Sequence, residues 1–442
     1  MIKENINEYK RLLKQYIAFK SISTDKKFKS EMDKTVSWLS KLLKANKFKV
    51  KILKGPNTNP VVFAEYIASK NFETVLIYGH YDIQPAEHKD GWTKDPFILF
   101  ENKGKLFARG VVDNKGQNLI HIFTVINLIK ENALGYNIKF LIEGNEETAN
   151  LDMEDIIKKN KKLLKSDYIM ISDGEIVGNT PTIEASLRGG FNMTATIRTA
   201  SNHLHSGLCG GAVPSASHEM AKLLALMFDD KNKISIPDFY DGVDKITDSH
   251  RANSSWVNER ELCKLFGVKT LLCEDGQDFH MQTGLRPTMQ VSGLKSGYID
   301  EGYCNIVPSV SEARINVRLV ASQDPKKIFE SIKKFIRNSV PKYADIAMEA
   351  DYLKEAIKIN IDSEKAREVT KILKYVYKKT PIIKYVGGGI PIVSHFKDLL
   401  NIDTLLVSLG NDDCNMHGVN ENFTIDLVKK GLAFSDKFFR KK

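Results

Sequence analysis

Acidic and histidine side chains follow the ends of four predicted buried strands. Apolar runs at 74–78, 138–142, 168–171 and 404–407 lead into His80, Asp82, Glu146, Glu147, Asp173 and His417. The carboxyl ends of parallel strands share the edge of a sheet where ligands bind, so we expect these side chains to converge there. Asp113, ahead of a predicted helix, adds a further carboxylate.

Two histidines and several carboxylates, without a thiolate, are the ligand set of a hydrolytic metal site. Such sites usually hold Zn, and Mn or Co can substitute. The carboxylates are too many for one ion, which predicts two ions roughly 3.5–4 Å apart that share a bridging carboxylate. Asp82, two residues beyond His80, can fix the tautomer of its imidazole. We expect Glu146 and Glu147 on an extended loop, where one can bind metal and the other can face the substrate as general base.

The elements that position these residues fall into two patterns. Continuous apolar runs, which also include 60–63, are typical of strands buried on both faces of a mostly parallel sheet, and helices lie between them. In the middle of the chain, strands such as 190–199 alternate apolar and polar residues, which indicates an antiparallel sheet with helices on one side. We therefore predict an α/β catalytic domain, with helices on both faces of its sheet, formed by 1–187 and 353–442. An inserted α+β domain is predicted at 188–352.

The composition is that of a soluble globular protein. The 442 residues carry 65 Lys and Arg against 55 Asp and Glu, a formal net charge of +10. The lysines are interleaved with acidic residues, which favours a solvated surface over a nucleic-acid site. A charged N-terminus and the lack of a long apolar run predict a cytoplasmic protein with no membrane partner. Five scattered cysteines without CxxC spacing fit a reducing compartment.

Several blocks of the sequence resemble a family of dizinc metallopeptidases. The blocks are GHYDIQPAE, GWTKDPFILFENKGKLFARGVVDNKG, EGNEETAN, ISDGE, SLRGG, HLHSGLCGGAVPSA, GGGIPI and NMHGVNE, and they extend from about residue 70 to 425. The family includes carnosine dipeptidase, Cys-Gly dipeptidase, acetylornithine deacetylase and succinyl-diaminopimelate desuccinylase. The longer blocks look most like the carnosine-dipeptidase branch.

The resemblance implies a ligand set for two zinc ions. His80 and Asp173 would bind one ion, Glu147 and His417 would bind the other, and Asp113 would bridge them. These assignments would make the protein a metallopeptidase of the co-catalytic dizinc type, with a small peptide as its substrate.

The resemblance also implies a mechanism. Dipeptides would be hydrolysed by a hydroxide held between the two zinc ions, with Glu146 as general base and Asp82 behind the first histidine. The peptide bond between Asp113 and Asn114 would be cis. The family's dipeptidases have Asp where Asp173 stands, whereas its deacylases and carboxypeptidases tend to have Glu, which favours dipeptide hydrolysis.

The family's inserted domain is a lid that mediates dimerisation, so the resemblance implies a homodimer. His205 resembles the lid histidine that reaches into the partner's active site and stabilises the oxyanion. Arg318 resembles the arginine that grips the substrate carboxylate, and a solvent-facing strand arginine like Arg314 is the alternative. Gly388 and Gly389 would let the substrate backbone approach closely. Gly389 stands where this branch often has Ser.

Other functions stay open at this point. One is an N-acyl-amino-acid deacylase of the acetylornithine or succinyl-diaminopimelate type. Another is an inactive homologue that binds peptides, although the complete set of predicted ligands and base speaks against it. Nucleic-acid binding through the net charge is a third.

Overall fold

The computed structural model describes residues 2–254, 256, 258–387 and 391–442. The helices are α1 (Ile2–Ile17), α2 (Lys29–Ala45), α3 (Lys115–Lys130), α4 (Met153–Lys159), α5 (Lys161–Leu164), α6 (Ser206–Cys209), α7 (Ala216–Leu226), α8 (Asp248–Asn253), α9 (Glu259–Phe266), α10 (Phe279–Leu285), α11 (Pro325–Ser339), α12 (Glu364–Tyr377), α13 (Pro391–His395) and α14 (Ile425–Phe439). The strands are β1 (Lys49–Leu53), β2 (Val61–Tyr66), β3 (Thr74–His80), β4 (Phe100–Asn102), β5 (Lys105–Phe107), β6 (Asn137–Glu143), β7 (Tyr168–Ile171), β8 (Thr182–Leu187), β9 (Gly189–Arg198), β10 (Leu204–His205), β11 (Thr288–Ser296), β12 (Ile306–Val307), β13 (Val310–Leu319), β14 (Asp345–Ala350), β15 (Ile357–Lys358), β16 (Ile382–Val386), β17 (Thr404–Ser408) and β18 (Asn422–Thr424).

The chain divides into two compact units. The first contains Met1–Ala185, Ile359–Ile383 and Pro391–Lys442, and the second contains Ser186–Lys358 and Lys384–Ile390. The second unit therefore contains the segment 188–352, a few residues on either side of it, and the separate stretch 384–390. Within the described part of the chain, no helix combines the length and the apolar character needed to span a membrane.

The sheet of the first unit has the strand order β1-β2-β6-β3-β7-β17-β8. The four central strands β6, β3, β7 and β17 are parallel, as predicted, whereas β2, which we also expected in the parallel set, runs antiparallel to β6. Ile77 belongs to the core formed with α1, α3 and α14. On the other face of the same strand, the ring of Tyr78 packs edge-on against Phe396, with 5.8 Å between ring centroids, and Phe396 begins a π-helix, Phe396–Leu400, directly after α13. The predicted sheet with helices on both faces is confirmed.

Helix α3 is buried on nearly all sides and begins directly after the loop that carries Asp113. The hydroxyl of Tyr9 in α1 donates a hydrogen bond to the carbonyl oxygen of Gly116, at 2.9 Å. A Cβ atom at Gly116 would lie 1.9 Å from the carbonyl oxygen of Val111, so only glycine allows this close approach. The close packing fixes the start of α3 against the loop that precedes it.

A small antiparallel sheet with the order β18-β5-β4 lies in the first unit. Asn422 pairs with Phe107, and the N–H of Ala108 donates to the carbonyl oxygen of Glu421 at 3.2 Å. This pairing joins two segments that are more than 300 residues apart in sequence. It places the loop before α3 beside the loop before β18.

The second unit contains the antiparallel sheet β11-β13-β9-β14. Along β9, buried side chains alternate with more exposed ones, as the sequence pattern predicts. The buried side chains of β9 and β13 form one core with α7 and α11, which includes Ile197, Ile315, Met220 and Ile332. The predicted α+β character of the inserted domain is confirmed.

Candidate metal centre

Two groups of potential ligands share the carboxylate of Asp113. The first ligand group is His80, Asp113 and Asp173, and the second ligand group is Asp113, Glu147 and His417. Within each group the donor atoms all lie within 4.8 Å of one another. His80 ends β3, and Asp173 follows β7 by two residues, so the edge of the parallel sheet brings these two together as predicted.

Each histidine faces its own oxygen of Asp113. The Nε2 atom of His80 lies 3.0 Å from Oδ1, and the Nε2 atom of His417 lies 2.8 Å from Oδ2. The remaining carboxylates stand further out, with Asp173 Oδ2 at 3.6 Å from the first imidazole and Glu147 Oε2 at 3.2 Å from the second. This geometry places the two groups of potential ligands on opposite oxygens of one carboxylate. The peptide bond between Asp113 and Asn114 is cis, as the resemblance implies.

The electrostatics of the centre favour bound cations. Burial disfavours a charged His80, but the carboxylates of Asp173 and Asp113 outweigh burial and raise the pKa of this imidazole well above its usual value. Hydrogen bonds with Asp113 and Glu147 raise the pKa of His417 to about 10. The carboxylates that stabilise a positive charge on each imidazole would also stabilise a cation placed between them. The donor set of imidazole and carboxylate groups without thiolate fits divalent metal ions.

Asp82 has a wider role than the one predicted from its spacing. The Nδ1 atom of His80 lies 3.0 Å from the backbone oxygen of Asp82 and 3.3 Å from its Oδ1 atom. The same carboxylate accepts hydrogen bonds from the backbone N–H groups of Glu146 and Glu147, at 3.2 and 3.1 Å. The predicted extended loop at this pair is wrong, because the two residues begin a short 3-10 helix, Glu146–Thr148. The Asp82 carboxylate stabilises this turn by satisfying N–H groups at its start.

Amide side chains orient two of the ligand carboxylates. Asn114 Nδ2 donates to Asp173 Oδ1 at 2.8 Å, and Gln84 Nε2 donates to Glu147 Oε2 at 2.6 Å. Such outer hydrogen bonds fix the direction of a ligand and increase its affinity for metal. No feature of the sequence spacing indicated these two amides.

A buried ion pair between Arg109 and Glu421 joins the two loops that carry Asp113 and His417. Arg109 Nη1 donates to Glu421 Oε2 at 2.8 Å, and its Nη2 atom donates to the backbone oxygens of His417 and Gly418 at 3.1 and 3.2 Å. The Glu421 carboxylate also accepts hydrogen bonds from the backbone N–H groups of Gly110, Val112 and Asp113. Neither residue was assigned a role from the sequence.

Glu146 belongs to neither ligand group. Together with Tyr78 and Glu143 it lines a small cavity of about 20 Å³, which is large enough for one water molecule. Burial raises the pKa of Glu146 to about 8, and the negative charges of Asp173 and Asp113 add to the effect while His80 opposes it. A carboxyl group with this pKa can exchange protons near neutral pH.

The predicted substrate-binding residues lie outside these groups. His205 is an exposed residue of the second unit, and its Nδ1 atom accepts a hydrogen bond from the N–H of Gly207 at 3.0 Å. Arg318, in β13 of the same unit, is half-buried and donates from Nε to Asn316 Oδ1 at 3.3 Å. Gly388 and Gly389 lie outside the described residues.

Comparison with known proteins gives consistent results. The cysteinyl-glycine dipeptidase of Saccharomyces cerevisiae, Cys-Gly metallodipeptidase DUG1, is 28% identical over 96% of this chain and 93% of that protein. The Beta-Ala-His dipeptidase of Homo sapiens is 28% identical over 86% of this chain and 77% of that protein. The solved structure of an M20 family metallo-carboxypeptidase, Sso-CP2 from Sulfolobus solfataricus, has a TM-score of 0.83 and is 28% identical, covering 98% of both chains.

The family model described as Peptidase family M20/M25/M40 matches residues 76–441. This range contains both ligand groups, Glu146 and the Arg109–Glu421 pair. The family predicted from the sequence is confirmed, and the chain belongs to peptidase family M20/M25/M40.

Proposed function

We propose that this chain is a metal-dependent dipeptidase with two ions at the first and second ligand groups. The observation that carries the proposal is the Asp113 carboxylate, which presents one oxygen to each of His80 and His417. Dipeptides are the proposed substrates because the two sequence relatives named above are dipeptidases. Asp113 is buried and both groups meet at this one side chain, an arrangement that a solvated acidic surface would not produce.

We propose zinc as the metal, with Mn or Co as substitutes. His80 and Asp173 would hold one ion, Glu147 and His417 would hold the other, and Asp113 would contact both. When bound, the ions would activate a water for attack and polarise the scissile carbonyl.

Glu146 acts as the general base in this proposal. Its carboxylate takes a proton from the attacking water and later gives that proton to the leaving amine nitrogen. Burial raises the pKa of this carboxyl group, which favours its uptake of the proton. Asp82 fixes the position of Glu146 relative to His80, because the Asp82 carboxylate contacts the His80 imidazole and also accepts a hydrogen bond from the N–H of Glu146.

Arg318 is proposed to bind the substrate carboxylate. Arg314, on the same strand, pairs with Glu312 at 3.2 Å, whereas Arg318 has no carboxylate partner among the residues that the structure describes. A half-buried guanidinium without such a partner can accept a carboxylate from a ligand. The backbone at Gly388 and Gly389 is proposed to approach the substrate.

We also propose a homodimer through the second unit, with His205 of each subunit stabilising the oxyanion in the other. Strand β11 lies at the edge of its sheet, and its side chains Val291 and Leu294 are 38% and 60% exposed. An edge strand with exposed apolar side chains is suited to pairing with a second copy. A cytoplasmic location stays a prediction.

Mixing two inactive variants tests the shared active site. Subunits with His205→Ala retain Glu146, and subunits with Glu146→Ala retain His205, so a mixed dimer has one complete site. We expect a statistical mixture to recover about a quarter of wild-type activity, because half of the dimers are mixed and each has one working site of two. Each variant alone is the control. Confirmed mixed dimers that are as inactive as their parents would contradict the proposal.

Turnover of defined substrates by metal-loaded protein tests the function itself. The protein is stripped with a chelator, reloaded with Zn, Mn or Co, and assayed for metal content and for hydrolysis of β-Ala-His and Cys-Gly. N-acetylornithine and N-succinyl-diaminopimelate are the comparison substrates. We expect the dipeptides to be hydrolysed with the higher kcat/KM. A preference for the acylated amino acids would make the protein a deacylase, and two bound ions without any turnover would make it an inactive homologue.

A further inference from the structure

A second concave surface lies on the first unit between α3, α12 and α14. Its volume is about 760 Å³, within the range of roughly 300–1,000 Å³ that is usual for small-molecule sites. Phe123 from α3, Val376 from α12 and Leu432 and Ala433 from α14 give it an apolar floor. We call it the α14 groove. None of the metal-centre residues described above lines it.

The rim of the α14 groove is basic. Five basic residues and two acidic ones line it, and Arg440 neutralises both acids, with Nη2 at 2.8 Å from Glu131 and 2.7 Å from Asp436. Lys429 and Lys437 have no carboxylate partner within the described part of the chain. The groove therefore combines apolar walls with two ammonium groups that pair with no carboxylate of the described residues.

An aromatic side chain lies within the basic rim. Tyr375 is 59% exposed, and the Nζ atoms of Lys437 and Lys378 lie 4.4 and 4.1 Å from the centre of its ring. Cation–π attraction to the Tyr375 ring holds the ammonium groups of Lys437 and Lys378 close to this apolar surface. Lysines on a convex helix face usually contact only water. Lys429 and Lys437 instead border a cavity that can hold an apolar group beside their ammonium groups.

We propose that the α14 groove binds a small amphipathic organic anion. Its carboxylate or sulfonate would contact Lys437, and Lys429, two turns earlier on α14, would add positive charge at the rim. Its apolar body would lie on Phe123, Val376 and Leu432. Charge complementarity selects an anion, and the apolar floor selects a ligand with a hydrocarbon or aromatic body rather than inorganic phosphate. This site is separate from the proposed function and does not depend on it.

The test uses 1-anilinonaphthalene-8-sulfonate, an aromatic sulfonate whose fluorescence rises in apolar surroundings, titrated into the full-length protein at low salt. We expect saturable binding that the double variant Lys429→Glu/Lys437→Glu weakens by about tenfold or more, since opposed charges become like charges. The matched control is Lys41→Glu/Lys44→Glu, the same charge change at exposed positions of α2, which should bind as the wild type does.

A second variant and a competition test the apolar contribution. Ala433→Trp places a large side chain in the groove and should also abolish binding, with circular dichroism confirming the fold. Decanoate should displace the probe, while inorganic phosphate at the same concentration should not. Equal binding by the wild type, Lys429→Glu/Lys437→Glu and Ala433→Trp would overturn the proposal. Displacement by phosphate as effective as that by decanoate would overturn it as well.

Discussion

Replacing Glu146 by Gln is expected to lower kcat for dipeptide hydrolysis by about 10³-fold, within the range measured for the loss of a general acid–base group. Glutamine has nearly the same shape but cannot take a proton from water. Because Glu146 belongs to neither ligand group, the variant should bind two metal ions as the wild type does. The measurements are steady-state kinetics and metal content by mass spectrometry on the same sample.

The neighbouring residue provides the matched control for this prediction. Glu147→Gln makes the same chemical change one position along the chain, but it removes a carboxylate that lies 3.2 Å from the Nε2 atom of His417. We expect Glu147→Gln to lose metal from the second ligand group. Equal metal loss in both variants, or full activity in Glu146→Gln, would show that the base is assigned to the wrong residue.

Replacing Arg109 by Met is expected to destabilise the folded protein by about 3 kcal/mol or more, the usual cost of leaving a buried charge without its partner. Glu421 is fully buried, and burial raises the pKa of its carboxyl group while Arg109 opposes this effect. Without the guanidinium, the buried carboxylate must either stay charged with only its backbone N–H partners or take up a proton. Urea unfolding monitored by circular dichroism measures the change in free energy.

The same substitution should weaken metal binding at the second ligand group. Arg109 donates to the backbone oxygen of His417, whose backbone has a positive φ of 60° and whose side chain is 55% exposed. Equilibrium dialysis against graded zinc concentrations should show one weakened site. Arg440→Met is the control, because this arginine also pairs with carboxylates but is 40% exposed and should cost less than about 1 kcal/mol. Similar losses of stability in the two variants would contradict the buried-pair argument.

The buried strands could be predicted because each is a continuous apolar run. The potential ligands at their ends could be predicted because they directly follow those runs in the sequence. His80 and Asp173 come directly after continuous apolar runs, and parallel strands bring such positions to one edge. Asp113 and His417 meet for a different reason, since their loops are joined by the pairing of β5 with β18. Those short strands leave little periodic signal, and the resemblance to a family supplied the assignment instead.

Several of the supporting contacts were missed because they depend on main-chain groups. Glu421 accepts from three backbone N–H groups, and Asp82 accepts from two, and no spacing of side-chain types records such bonds. The extended loop expected at Glu146 was wrong for the same reason. A carboxylate from a distant strand end stabilises a helical turn there, and that partner is visible only in the folded chain.

The double attachment of Asp82 links the end of β3, which carries the proposed metal ligand His80, to the turn that carries the proposed base Glu146. We expect a shift of the end of β3 to move His80 and, through the two hydrogen bonds that Asp82 accepts, to move the backbone of Glu146 as well. The distance between these two side chains should therefore vary less than the positions of the surrounding loops. Under the proposed mechanism, this coupling would keep the base aligned with the metal ligand while other loops of the first unit move.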